Sequence, residues 1–377
     1  MLRELRVVCA AIAALLPVSA IAACEAPPAG PDGFPVAEPD SVGLDADRLC
    51  ALVPLIEGWK DSDVHAVLVV RHARLVFEQY FSGADEHWGT PLGNETAHSR
   101  DQLHDARSVT KSVVALVLGI ALDRDLVQGD LDTPVLDLLP QFADLRTPEK
   151  AQITLRHLLT MSAGLKWNED IPYGDPGNSE TQMDRAPDPP RFVLSQDVVA
   201  PAGEVYNYSG GSAVLIQTIL KQATGKSLDV LTHDLLFAPL GIEQVEWVRY
   251  PATGEPIAAS GLRLLPRDFA KLGQLVLAHG AWQGRQVAPA AFVEQATTPH
   301  INGQQLYFYG YQFWLGRSFI RGRVIDWSSA VGLGGQRIFV VPALDLVAVV
   351  NAGLYRSPMQ AWVPLVALNR YVLAAVH

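Results

Sequence analysis

Ser108 and Lys111 stand three residues apart in Arg107-Ser108-Val109-Thr110-Lys111-Ser112, just ahead of the apolar run Val113 to Leu122. At a helix start this spacing puts both side chains on one face, one turn apart. A serine hydroxyl needs an adjacent base to act as a nucleophile. A lysine amine serves as that base when burial or positive potential lowers its pKa, and a buried helix N-terminus supplies both. Taken alone, the tetrapeptide fits a serine N-cap and a snorkelling lysine better than a nucleophile. The rest of the chain decides between the two.

Two other stretches carry chemistry. In Pro201-Ala202-Gly203-Glu204-Val205-Tyr206-Asn207-Tyr208-Ser209-Gly210-Gly211 a phenol could relay a proton between serine and leaving group, and by chemistry Tyr206 and Tyr208 are equal candidates. In Ala330-Val331-Gly332-Leu333-Gly334-Gly335-Gln336 glycines beside a strand leave backbone N–H groups free for an oxyanion, although a tight turn or bulge is the plainer reading. Other site types are excluded by their motifs. There is no Gly-x-Ser-x-Gly, His-Glu-x-x-His, P-loop, Gly-x-Gly-x-x-Gly or Cys-x-x-Cys. His98 and His104 lie six apart in a polar loop and read as solvated surface. His157, among leucines, reads as structural, and no metal is expected.

The elements that must position these residues follow from pattern. Val64 to Val70 and Leu75 to Phe81 form a hairpin about the turn Arg71–Arg74. Helical spacing marks 44–59, 130–143, 154–162, 192–199, 212–224, 228–240, 265–279 and 288–296. Residues 164–190 form a long loop. Strands follow at 309–315, 323–327, 337–341 and 346–351, then a helix over 363–375. Strands at both ends with helices between them predict one antiparallel sheet built from both termini and a helical insertion lobe, an α/β (α+β) fold.

Composition sets the surroundings. The chain is 49% hydrophobic and 18% charged, with net charge −11, so a nucleic-acid surface is not expected. Arg3 and Arg6 precede an apolar stretch, Val7 to Ala23, too short to be a convincing span. It ends Ile21-Ala22-Ala23-Cys24, which resembles a bacterial lipoprotein signal with the lipid on Cys24; simple secretion after Ala20-Ile21-Ala22 is the alternative. The expected division is a signal peptide over 1–23, a Pro/Gly-rich tether over 24–40 and one domain over 41–377. An acylated Cys24 would leave Cys50 as a buried structural thiol.

In order and spacing, Ser108-x-x-Lys111, Tyr208-Ser209-Gly210 and Ala330-Val331-Gly332 together resemble the three motifs of the serine β-lactamase-like hydrolases. That family takes in class C β-lactamases, penicillin-binding peptidases and esterases. The likeness extends over about residues 40–370, including Ile153 to Leu165 and Leu262 to Leu275. It implies a β-lactamase/transpeptidase-like fold, Ser108 as nucleophile, Lys111 as a base neutral when active, Tyr208 as the relay, and no cofactor. It further implies an oxyanion hole from the Ser108 and Leu333 amides, with Gly332 and Gly210 at the substrate and Trp167, Tyr173 and Asp175 of the long loop walling the pocket. The departures are Gly210 for the motif asparagine, and Ala330 and Val331 for the basic and hydroxyl residues of the third motif. They point to the esterase and 6-aminohexanoate-dimer-hydrolase branch and a small ester or amide substrate, rather than to a β-lactamase or D-amino-acid peptidase. A peptidoglycan-binding envelope protein without catalysis is the reading outside enzymes. The expected location is the cell envelope, outside the cytoplasm, with the membrane reached only through the lipid at Cys24.

Overall fold

A computed structural model of the chain describes residues 25–30 and 33–377. The expected signal peptide and lipidation site, residues 1–24, lie outside the described residues.

Eight strands make the main sheet: β1 (Val64–Arg71), β2 (Arg74–Tyr80), β3 (Ile301–Asn302), β4 (Phe308–Tyr309), β5 (Trp314–Ile320), β6 (Arg323–Gly332), β7 (Gln336–Val341) and β8 (Leu346–Ala352). Their order, β3-β4-β5-β6-β7-β8-β1-β2, is antiparallel throughout and joins the N-terminal hairpin to the C-terminal strands through β1 and β8. The hairpin turn has positive φ at both His72 (51°) and Ala73 (56°), the geometry that matches the right-handed twist of paired strands.

Apolar side chains fill both faces. One cluster lies between the sheet and the helical lobe; the other packs the opposite face under residues 44–56 and the terminal helical segment 362–375. Helix α1 (Val109–Asp123), which begins just after Ser108, runs through the first cluster and is buried on all sides, which explains an apolar run without an amphipathic period. Packed around it or nearby are α2 (Ser179–Arg185), α3 (Gly210–Thr224) and α4 (Pro266–Leu277). The architecture is the expected one, an antiparallel sheet built from both termini with a helical lobe. No helix among the described residues is long and apolar enough to cross a membrane.

Three expectations change. The segment read as a tether is docked. Pro28 O accepts from Arg267, Phe34 packs edge-on against Trp282 at 5.6 Å, and Pro35 and Ala37 bond across to Leu75. An unpaired sheet edge at β2 and an apolar side chain in the segment are enough to hold it. Cys50 is buried but disulfide-bonded, not a free thiol. His98 and His104 are 9% and 3% exposed rather than solvated, because the loop folds them back against His65 on β1.

Candidate active site

Ser108 occupies the N-cap position of α1 without capping it. Arg107, just before it, is held at φ 49°, a left-handed conformation that a non-glycine residue adopts at a cost of about 1–3 kcal/mol. Burial of Arg107 and its ion pair with Asp105 (Nε to Oδ2, 3.0 Å) hold that turn. Ser108 is left part-exposed between buried neighbours.

Lys111 Nζ donates to Ser108 Oγ at 3.0 Å and to Ala259 O at 2.9 Å. It lies 3.7 Å from Glu180 Oε2; the two side chains are 1% and 3% exposed. The sequence expectation was a lysine made neutral by burial. Burial does pull its pKa down, but Glu180, Tyr208 and Glu169 pull the other way and prevail, so the net shift is upward and the resting side chain is an ammonium.

The phenol beside this pair is Tyr208. It interacts with both Ser108 and Lys111, and Lys111 Nζ lies 5.0 Å from its ring centre. Burial raises the Tyr208 pKa, against the opposing pull of Lys111 and Ser108. Tyr206 points elsewhere, packed edge-on against Tyr309 and Trp314, its hydroxyl without a hydrogen-bond partner among the described residues.

Behind Lys111 lie carboxylates that the sequence reading missed. Glu169 accepts from the Trp167 indole, from Tyr173 OH at 3.1 Å and from Gly210 N at 2.5 Å. Its pKa is raised by burial and by Glu180 beside it, which favours the protonated acid. Asp184, one turn along α2 from Glu180, is pushed up to about 8 by burial and then by Glu180. The long loop therefore delivers acids under the lysine. Its wealth of Asp and Glu between two helix caps was the available signal, but nothing local says that they turn inward.

Four residues expected at the substrate have other partners in the structure. Trp167 is buried and stacks edge-on with Phe192, and both it and Tyr173 hold Glu169. Gly210 supports Glu169 through its N–H, and a Cβ there would come 2.2 Å from Glu180 Oε2, so the carboxylate takes the space a side chain would need. Asp175 caps its own loop, accepting from Gly177 N at 2.8 Å.

The third motif ends β6 against the turn at Ala106 and Arg107 that precedes Ser108. A Cβ on Gly332 would meet Ala106 O at 2.4 Å and Arg107 Cβ at 3.2 Å, so only glycine allows the approach. Among the described residues the N–H groups of Ser108 and Leu333 have no hydrogen-bond acceptor. Buried Gln336 fixes the turn from behind, donating to Ala352 O at 2.6 Å and to Leu333 O at 3.3 Å. Ala330 faces the core, whereas Val331 pairs across the sheet with Arg337. Arg337 thus brings a guanidinium to the strand end whose own basic residue is missing, although it also ties down Gly332 O at 3.2 Å and Gln360 O at 3.3 Å. Desolvation lowers its pKa to about 10. A cavity of about 130 Å³ opens beside it, lined by Trp314, Val331 and Phe339 among others.

A serine in contact with a buried lysine and a tyrosine has the neighbours that a nucleophile needs. The chain is similar to known proteins over most of its length. A 6-aminohexanoate-dimer hydrolase of Paenarthrobacter ureafaciens is 25% identical over 331 residues, 80% of this chain and 76% of that protein. The solved structure of EstCE1, a hydrolase with promiscuous acyltransferase activity, superposes with TM-score 0.65 at 16% identity, covering 86% of this chain and 98% of that one. A family VIII carboxylesterase superposes with TM-score 0.61, also at 16% identity and with the same two coverages. The Beta-lactamase family model matches residues 61–358, most of the chain, and the protein belongs to that family as a serine hydrolase.

Proposed function

We propose that the protein is an exported hydrolase that cleaves a small ester or amide through a Ser108 acyl-enzyme. The observation that carries this reading is the 3.0 Å contact of Lys111 Nζ with Ser108 Oγ, with Tyr208 beside both atoms. Because the resting lysine is charged, it must first lose a proton. Among the described residues the carboxylate of Glu180, 3.7 Å away, is the nearest acid that could take it. Neutral Lys111 then takes the Ser108 proton as Oγ bonds to the substrate carbonyl carbon, and the N–H groups of Ser108 and Leu333 receive the oxyanion. Collapse breaks the bond to the leaving alcohol or amine, which takes its proton by way of Tyr208. Water, deprotonated by the same lysine–tyrosine pair, attacks the acyl carbon and restores Ser108.

Esters and amides are favoured over β-lactams and D-amino-acid peptides because Ala330 and Val331 offer no cation or hydroxyl at the third motif. Kinship to a 6-aminohexanoate-dimer hydrolase and esterase-like folds supports the same branch. A purely peptidoglycan-binding role leaves the Ser108–Lys111–Tyr208 arrangement without a purpose. Export rests on the N-terminal pattern and on the disulfide at Cys50, which suits an oxidising compartment, whereas a lipid on Cys24 in the cell envelope rests on the N-terminal pattern alone.

The test is labelling of the purified protein with a fluorophosphonate probe, with Ser108→Ala as control, followed by a hydrolysis screen of p-nitrophenyl esters, short amides, nitrocefin and D-Ala-D-Ala peptides. Labelling that depends on Ser108, with turnover confined to esters or amides, is expected. Unlabelled wild type would overturn the reading.

A further inference from the structure

A second polar cluster lies away from the Ser108 site. His65 Nδ1 and His104 Nε2 are 2.7 Å apart, and His104 Nε2 is 3.8 Å from Asp85 Oδ1. One ligand atom from each of these three residues lies within 4.8 Å of the other two. His65 is the extra residue at the irregularity in the β1–β8 pairing, a place where strands re-aim a side chain. Around it, Asp63 Oδ1 is 3.5 Å from His65 Nε2, and the His98 ring stacks on His65 at 3.7 Å. Gly83 makes room, since a Cβ there would come within 2.6 Å of both Asp63 and His65.

The hydrogen bonding of this cluster does not close with neutral imidazoles. His104 Nδ1 lies 3.1 Å from Asp105 O, which only an N–H can satisfy, so His104 Nε2 carries the lone pair. The 2.7 Å contact then requires the proton on His65 Nδ1, and His65 Nε2 turns its own lone pair toward the Asp63 carboxylate. That nitrogen is fully buried and has no hydrogen-bond partner among the described residues. A cation between the rings resolves the conflict. His65 then keeps its proton on Nε2, facing Asp63, and presents Nδ1 to the ion. His104 presents Nε2 while its Nδ1–H stays on the Asp105 carbonyl. Each histidine is thereby backed by an acceptor, the usual support for a metal-bound imidazole.

We propose that His65 Nδ1, His104 Nε2 and a carboxylate oxygen of Asp85 form a zinc site, with a fourth position open to water. Two nitrogens and one carboxylate suit tetrahedral zinc, whose ligand atoms lie about 3.3 Å from one another. The 2.7 Å contact opens by about 0.6 Å and the 3.8 Å one closes by about 0.5 Å, shifts within the reach of side-chain rotation. A cleft of about 1220 Å³ comes up to Asp63, Gly83 and Tyr355 beside the cluster, and Tyr355 OH donates to Asp85 Oδ1 at 2.8 Å.

The site would brace the nucleophile turn. His104 is four residues before Ser108, and the Arg107 guanidinium stacks 4.6 Å over the Tyr355 ring. Zinc would tie β1, the loop carrying Asp85 and the segment entering α1 to one another. It takes no part in the acyl-transfer steps, so the proposal stands apart from the substrate reading.

Tag-free protein stripped with a chelator is titrated with zinc against a chromophoric competitor, and separately with cobalt. Wild type is expected to bind about one equivalent and to give the intense visible absorption of tetrahedral cobalt. His65→Gln and Asp85→Asn are expected to bind at least about 100-fold more weakly and to lose that absorption. Zinc should raise the melting temperature of wild type and of neither variant. Wild type that binds no zinc, or variants that keep full stoichiometry and the cobalt spectrum, would overturn it. If His65→Gln does not fold, Asp85→Asn, nearly equal in size and shape, and the wild-type cobalt spectrum still decide.

Discussion

Lys111 and Glu180 form a buried ion pair, Nζ to Oε2 3.7 Å, with hardly any solvent access to either side chain. The carboxylate that holds the lysine in its charged form also stands ready to take its proton. Glu180→Gln should therefore lower the Lys111 pKa and move the acidic limb of the kcat/KM profile to lower pH by at least about one unit. Where Lys111 remains charged the variant should lose about 3 kcal/mol of stability, since one partner of a buried pair is gone. Rate profiles over pH and denaturant melts check both; an unmoved acidic limb would remove Glu180 from the proton path.

Tyr208→Phe should reduce acylation about 10²–10⁴-fold, the usual worth of a positioned proton donor. Tyr206→Phe should leave it near wild type, because that hydroxyl has no partner to lose. Burst kinetics with a p-nitrophenyl ester compares them, and the reverse pattern would reassign the relay.

Asp184 predicts a pH-dependent stability. Its folded pKa, pushed up to about 8, lies above the unfolded value of 3.8. The folded state thus holds its proton more tightly, and stability present below the unfolded value is eroded as pH rises through that window. Asp184→Asn should raise the melting temperature at pH 7.5, and the gain should vanish at pH 4. Thermal melts across the range test this, and a gain equal at both ends would contradict it.

Gly332→Ala should cost about 1–3 kcal/mol through the clash with Ala106 O, and should lower kcat more than it raises KM by displacing the oxyanion N–H groups. Melts and steady-state kinetics measure the two effects; wild-type kcat would place the oxyanion site elsewhere.

The N-terminus has two exclusive fates, since a Cys24 thioether leaves no sulfur for a disulfide. Metabolic palmitate labelling that is lost in Cys24→Ala is expected for a lipid anchor. A non-reduced peptide joining Cys24 to Cys50 in unlabelled protein would instead indicate simple secretion.

Much of this protein is determined by the sequence alone. Alternation and apolar runs locate the hairpin, the C-terminal strands and helix α1, because each signal lies within one element and its caps. Ser108 and Lys111 belong to the same class, one turn apart on one helix. Tertiary structure decided what depends on distant segments. It chose Tyr208 over Tyr206, two residues apart and chemically equal, by packing Tyr206 against Tyr309 and Trp314. By turning Glu169 and Glu180 inward it made the resting lysine charged, reversing the expectation drawn from burial. It also gathered His65, Asp85 and His104, which no local spacing connects. A side chain's charge in a dry interior depends on the groups that packing sets against it, and those come from parts of the chain that local pattern does not relate.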